Sequence, residues 1–543
     1  MRYRQVTGLE GKLFDPHAAA GSGQRFFGPC YALGSMAHDA GIADPPRSLA
    51  AALAHLGPGM ILASSIVGSG ELIATTSVGA TAGFALLWLI LIGCAIKVAA
   101  QIEIGRTTLA SGRTPLAAFD RVPGPRIGGR NWIWWSWAAM TVLILLQQGG
   151  IVAGVAQSLA AAVPLTPAGR AWNRGYDELA AARIAAAVAG RQGDATARAA
   201  TATRVAAAEA ATAGLARPSD TTSWAVITGI VTAGLLLVGR YRLIEQVSLV
   251  LVAAFTIVTL TALALLQRNP AWAISGAELA QGLQPSIPPA HGGRSPLAVG
   301  LAAFGIIGVG ASELMIYPYW CLEKGYGRAV GPRDDSPAWA ERARGWLRVM
   351  QLDAWGSMVV YTTVTIAFYL LGAATLGRLG IVPEGGEMVR SLGAMYAPVF
   401  GAWAHQVFLW GAFAVLYSTL FVAAAGNARM VTDGLAMQGL GPAGTASAAF
   451  TRWISAVWVL VATGLAVAIG EPVAMVLASG VAQAIMLAAL AVAVIWFRYR
   501  EGDPRLTPGP AWDLLVWVSA AGFLAIGLWT AWEKLAGAVT GGS

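Results

Sequence analysis

Long apolar runs separated by short polar joints set the pattern of this chain. The runs are about 20 residues long, the length of a membrane-crossing helix. Strands of an outer-membrane barrel would instead alternate apolar and polar residues over about 10 residues, and the chain has no such alternation. The runs predict spans at about 55–80, 83–104, 132–163, 222–239, 246–266, 296–322, 354–376, 398–425, 453–469, 472–497 and 512–534. The fold class that follows is an all-α polytopic membrane protein with eleven transmembrane helices. Two polar intervals stand apart. Residues 1–46 are Gly/Pro-rich, lack a continuous apolar core and do not resemble a cleaved signal peptide, so they read as a cytoplasmic N-terminal segment. Residues 165–221 are Ala/Arg-rich, and the stretch from Tyr176 to Ala213 reads as one or two solvent-exposed helices. They form an extramembrane helical insertion between the third and fourth spans.

The charges in the joints orient the spans. With the N-terminus in the cytoplasm, the inside loops are 105–131, 240–245, 323–350, 426–452 and 498–511, which hold most of the short-loop Arg and Lys. The insertion falls outside despite its arginines, since long loops follow this rule poorly. The C-terminus then lies outside an inner or plasma membrane. Spans one to five and six to ten make two five-helix sets, and an odd number inverts the second set. This divides the chain into a first repeat at 47–270, a second at 271–500, and an eleventh span with the C-terminus at 501–543. A five-plus-five inverted repeat with broken first and sixth helices is the architecture of the LeuT-type transporters.

Composition narrows the class further. Of 543 residues, 56% are hydrophobic and 12% charged, against about 25% charged in a soluble domain. Trp132, Trp134, Trp135, Trp137 and Trp224 fall near run ends, as interfacial aromatics do. The net charge of +8 reads as basic cytoplasmic loops and not as nucleic-acid binding. Cys30, Cys94 and Cys321 form no close pair, and His17, His38, His55, His291 and His405 show no ligand spacing. The expectation is a monomeric non-enzyme without a cofactor, whose partners are the lipid bilayer and a small inorganic cation or small solute.

The candidate chemistry lies in a phrase that occurs twice, as Val67-Gly68-Ser69-Gly70-Glu71-Leu72-Ile73 and Val309-Gly310-Ala311-Ser312-Glu313-Leu314-Met315, nearly half a chain apart. An acid at membrane depth is costly and marks a pathway or a site. Helix breaks at these glycines would let Ser69 and Ser312 cap the half-helices that follow, with Glu71 and Glu313 in their first turns, where free amides and the helix dipole favour negative charge. Carbonyls near Gly68 and Gly310 would add oxygen ligands. The plainer reading makes each glutamate a cap or the partner of a buried base such as Lys97. Lys97 itself either snorkels to the cytoplasmic interface, or forms an ion pair that neutralises Glu71 or Glu313. Gln147 and Gln148 line a polar path or bond between helices. Asp353, at the start of span seven, joins the polar lining.

The order of elements resembles the natural resistance-associated macrophage protein family of proton-coupled divalent-metal transporters, from about residue 57 to about residue 500. Gly57-Pro58-Gly59 is similar to that family's opening of span one. Leu86-Leu87-Trp88, Gln101, Arg106 and Gly112-Arg113 resemble its second span. Arg240-Tyr241-Arg242-Leu243-Ile244-Glu245 resembles its turn between spans four and five. Gly305-Ile306-Ile307-Gly308 and Tyr317 resemble its sixth span, and Asp353 the start of its seventh.

The departures fall on the functional residues. The family's Asp-Pro-Gly-Asn is replaced by Gly68-Ser69-Gly70-Glu71, and its Met-Pro-His by Ser312-Glu313-Leu314. Family acids tied to proton transfer fall near Gln147 and Gly150, which do not titrate. The resemblance implies a divalent-cation transporter. The all-oxygen donor set favours a harder ion such as Mg2+ or Mn2+ over softer metals, with proton coupling weakened or rerouted. A carrier of a small organic solute or anion, and a non-transporting receptor or scaffold, are the alternatives.

Overall fold

The computed structural model describes residues 41–239, 241–289, 295–383, 385–442 and 446–540. The N-terminal segment expected at 1–46 lies outside the described residues up to residue 40, as do Cys30, His17, His38, Arg240 and His291.

Helices make up the architecture. The longer ones are α1 Pro58–Ala82, α2 Leu87–Ser111, α3 Trp132–Ala162, α4 Pro167–Gln192, α5 Ala195–Ala213, α6 Asp220–Val238, α7 Tyr241–Leu266, α8 Pro296–Phe304, α9 Ala311–Lys324, α10 Pro337–Leu371, α11 Ala404–Met437, α12 Ala446–Ile469, α13 Pro472–Trp496 and α14 Pro510–Thr540. Among the described residues nine helices are long and apolar enough to cross a membrane, and α7 adds a shorter apolar segment at Val252–Leu266. The sixth apolar run is divided into α8 and α9.

Local chemistry sets the helix ends. Proline stands in the first turn of α1, α4, α8, α10 and α13, where its missing N–H is not needed. The Asn131 side chain accepts from Trp134 N at 2.9 Å to start α3, and Ser336 does the same for α10 from Trp339 N at 3.1 Å. Gly112, at φ 64°, ends α2 in the left-handed conformation that a Cβ disfavours.

Expected boundaries move: α11 runs on to Met437 and α12 begins at Ala446, so most of the expected loop 426–452 is helical, and two further boundaries shift. Helix α2 runs on to Ser111, so Arg106 belongs to a helix and not to a basic loop; it is buried and paired with Glu103 at 3.2 Å. Helix α10 begins at Pro337, so the charged stretch before residue 350 is helical and Asp353 sits well inside a helix instead of at its start. Hydrophobicity marks only the part of a helix in lipid, whereas capping decides where the helix stops.

Helix α1 is held between α10 and α11, with α9 against its first half. Its residues Val67, Leu72 and Ile73 are 1% exposed or less. Helices α6 and α14 join the core by one face, through Ala225, Leu236, Val516 and Phe523. Their Ile230, Val231, Leu514, Leu528 and Trp532 are exposed, faces that suit lipid contact.

Candidate functional site

The first copy of the repeated phrase does not break its helix. Val67–Thr75 is a π-helical turn whose flanking residues Ile66 and Thr76 keep right-handed helical angles. Two hydroxyls explain why the helix widens here and stays closed. Thr75 Oγ1 donates to Gly70 O at 3.0 Å, and Thr76 Oγ1 donates to Glu71 O at 3.2 Å, each reaching back five residues. The glycines let neighbours come close: Gly68 N donates to Thr419 Oγ1 at 3.1 Å, and a Cβ on Gly70 would lie 3.1 Å from Ile306 O. This corrects the expected break in the first helix. Ser69 caps nothing, and Glu71 lies within the π turn and not in the first turn of a half-helix.

The second copy does break its helix. Helix α8 ends at Phe304 and α9 starts at Ala311, with Gly308 at φ 64° in the connecting strand of backbone. A non-glycine residue would be strained there. Glu313 falls in the first turn of α9, as its position in the phrase implies, but Gly310 is the N-cap and Ser312 caps nothing.

The break gathers the acids and the base. Glu71 is fully buried. Its Oε1 accepts from Gly308 N at 3.2 Å and from Thr365 Oγ1 at 2.8 Å, while its Oε2 has no hydrogen-bond partner among the described residues. Glu313 Oε2 is likewise without one. A Cβ on Gly310 would collide with Glu313 Oε2, lie 2.7 Å from Gln483 Oε1 and 3.2 Å from Gly305 O, so three oxygens converge on that glycine. Lys97 reaches the same break from α2. Its Nζ donates to Phe304 O at 2.5 Å and Ile307 O at 2.6 Å, and lies 4.7 Å from the centre of the Phe304 ring. Lys97 is fully buried, so it does not snorkel to the interface.

A line of side chains ties the two phrases together. Gln147 Nε2 donates to Ser69 Oγ at 3.0 Å. Gln147 Oε1 accepts from Gln483 Nε2 at 2.7 Å and from Ser479 Oγ at 3.0 Å. Gln483 Oε1 accepts from Ser312 N at 3.1 Å, and Ser312 Oγ donates to Asn427 Oδ1 at 3.3 Å. The serines of the two copies are thus joined through Gln147 and Gln483. Gln148 stands apart, donating to Leu420 O at 2.8 Å. Asp353 lies at the start of α1, accepting from Gly57 N at 2.9 Å, Gly59 N at 2.6 Å and Tyr317 Oη at 3.0 Å.

Sequence reasoning misses Thr365, Thr419, Asn427, Ser479 and Gln483. The available signal is a single amide or hydroxyl within an apolar run, which is weak because such groups also satisfy their own helix. Among the described residues no three His, Cys, Asp or Glu side chains form a group that could hold a metal ion. A cation at the break would therefore draw on amide, hydroxyl and carbonyl oxygens besides the two carboxylates.

A family model described as natural resistance-associated macrophage protein-like (Nramp) matches residues 178–533. No curated protein sequence matches the chain. Among solved structures, it is similar to the Eremococcus coleocola manganese transporter in complex with an aromatic bis-isothiourea substituted compound. That likeness has 14% identity and a TM-score of 0.58, over 93% of this chain and 92% of that one. A mutant of the same transporter matches with 14% identity and a TM-score of 0.58, over 91% and 90%. MhsT in complex with L-phenylalanine matches with 14% identity and a TM-score of 0.50, over 90% and 98%. At such identities the likeness speaks for the fold, which is that of the LeuT-type helical transporters.

Proposed function

Because the chain belongs to the natural resistance-associated macrophage protein family, we propose that this integral membrane protein is a secondary transporter that moves a divalent cation by alternating access. One observation carries the reading: two carboxylate oxygens at membrane depth, Glu71 Oε2 and Glu313 Oε2, are without hydrogen-bond partners among the described residues, beside a broken helix. A buried carboxylate oxygen without a partner is costly, and a cation offsets that cost. The manganese transporter structures support a divalent ion. The donors are all oxygen, from Glu71, Glu313, Gln483 and the Gly305 carbonyl, which favours Mg2+ or Mn2+ over softer metals.

The chemistry of transport follows from the two unlike halves of the site. Glu71 sits in a closed helix held by Gly308 N and Thr365, so it is a fixed anchor. Glu313 sits on the first turn of α9, next to backbone free to rotate at Gly308 and Gly310, so it is the arm that moves as access alternates. Gln147 carries no proton between these groups, so the amide line orders the site without coupling it to a proton through that residue.

The test is uptake into liposomes. Glu71→Gln and Glu313→Gln each abolish Mn2+ or Mg2+ uptake while leaving the thermal unfolding midpoint near that of the wild type. Wild-type uptake by either variant would refute the assignment. A second reading, a carrier of a small organic solute, is favoured by the lack of a third acidic or imidazole ligand among the described residues. It requires that no divalent ion bind in calorimetry while a labelled solute accumulates.

A further inference from the structure

Lys97 is the one described side chain in the site that donates to the broken backbone itself. Burying an ammonium costs several kcal/mol unless hydrogen bonds compensate. Here the compensation is specific. Phe304 is the last residue of α8, where the helix dipole is negative and carbonyls lack helical partners. Ile307 lies in the open backbone that follows. Both carbonyls point at Nζ, and the Phe304 ring closes one side. In transporters with discontinuous helices, unwound carbonyls and half-helix C-terminal ends are where a small mobile cation is held.

We propose that the Lys97 ammonium is a tethered cation that fills, from α2, the carbonyl cradle at the end of α8 where a mobile monovalent cation would otherwise sit. The chain thereby works without a co-transported monovalent ion at that position. The inference shares the site of the proposed function but concerns a different group, and its readout is binding and not flux. The cradle is built for positive charge whether or not a divalent ion passes Glu313. Removing the amine while keeping an apolar stem, as in Lys97→Met, leaves two buried carbonyls facing a space that a small free cation can enter.

The experiment measures thermal unfolding of the purified full-length chain in lipid nanodiscs. Chloride salts of sodium, potassium and methylammonium are compared with a bulky organic cation at equal ionic strength. The wild type and Lys97→Arg, which keeps the charge, give one unfolding midpoint in all salts. Lys97→Met gains a midpoint that rises by a few degrees with at least one small cation, as expected for a ligand that binds only the folded state. An Lys97→Met midpoint indifferent to every salt overturns the proposal. So does an equal salt response in Lys97→Arg, or failure to recover Lys97→Met in any small-cation salt, since a true cradle would be refilled. If the wild type transports no divalent ion and Lys97→Met still responds to small cations, the proposed function fails and this inference stands.

Discussion

Gly310 shows how little room the site leaves. A Cβ there would run into Glu313 Oε2 and press on Gln483 Oε1. Gly310→Ala is therefore expected to fold but to displace both oxygens, weakening Mn2+ binding in calorimetry at least about tenfold, equivalent to ~1.4 kcal/mol. Gly464→Ala is the control: nothing lies within 4 Å of its added Cβ, so its affinity stays that of the wild type. Equal affinities for the two variants would remove Gly310 from the site. The glutamates beside these glycines were legible in the sequence, because an acid in an apolar run has few innocent explanations. The roles of Ser69 and Ser312 were not legible, because one phrase folds in two ways. Thr75 and Thr76 follow Glu71 and close the widened turn with their hydroxyls. Tyr317 and Pro318 follow Glu313 at the matching positions and offer no such bonds. The difference lies outside the repeated residues.

At the scale of elements, α4 and α5 pack on each other through Leu179, Ala182 and Ala208. Their ion pairs, Arg183–Glu209 and Arg204–Glu178, are about half exposed and contribute little. The attachment of the pair is more specific. Trp172 Nε1 donates to Glu387 Oε1 at 2.8 Å, and Arg390 donates to Asn173 Oδ1 at 3.0 Å while pairing with Glu387 at 2.8 Å. Glu387 stands at the N-cap of the short helix Met388–Gly393 and Arg390 lies within it; this helix packs on α11 and α3. Trp172→Phe keeps an aromatic ring but removes the indole donor, at a cost of about 1–3 kcal/mol for the acceptor left behind. Amide exchange in Met388–Gly393 is expected to speed up, with α4 and α5 still helical by circular dichroism. Unchanged exchange would show that the apolar contacts alone hold the pair. The apolar runs located the membrane helices but not all their ends: α10 begins at Pro337 and α11 ends at Met437, where the runs put 354 and 425. Helix lengths beyond the lipid escaped the same reading, because Ser336 and Gly112 set those ends in polar sequence.

Across the whole molecule, Asp503 fastens the approach to α14 to the loop before α10. Its carboxylate accepts from Arg505 Nε at 3.1 Å and pairs with Arg333 at 3.0 Å, while Arg505 also donates to Asp334 O at 2.9 Å. The Arg505 hydrogen bonds, with Arg333 beside them, hold the Asp503 carboxyl below its ordinary value. A lowered folded-state value gives stability that is complete above the ordinary carboxylate range and is lost as pH falls through the lowered value. Proteolysis within 331–336 and 502–508 is thus expected to accelerate on acidification into that range. Asp503→Asn should be cut readily at every pH, and a pH response retained in that variant would assign the effect to another group. A second long-range tie acts on a different timescale. Asp353 holds the start of α1 through Gly59, 294 residues earlier in the chain. At about 5–20 residues per second of synthesis, the first span waits on the order of 15–60 s for that clasp to leave the ribosome. Thr365 and Gly308, which hold Glu71, also arrive late. The first helix is therefore made before the groups that hold its Gly57 and Gly59 amides and its acid, so the packing of α1 is completed only once the second half is made.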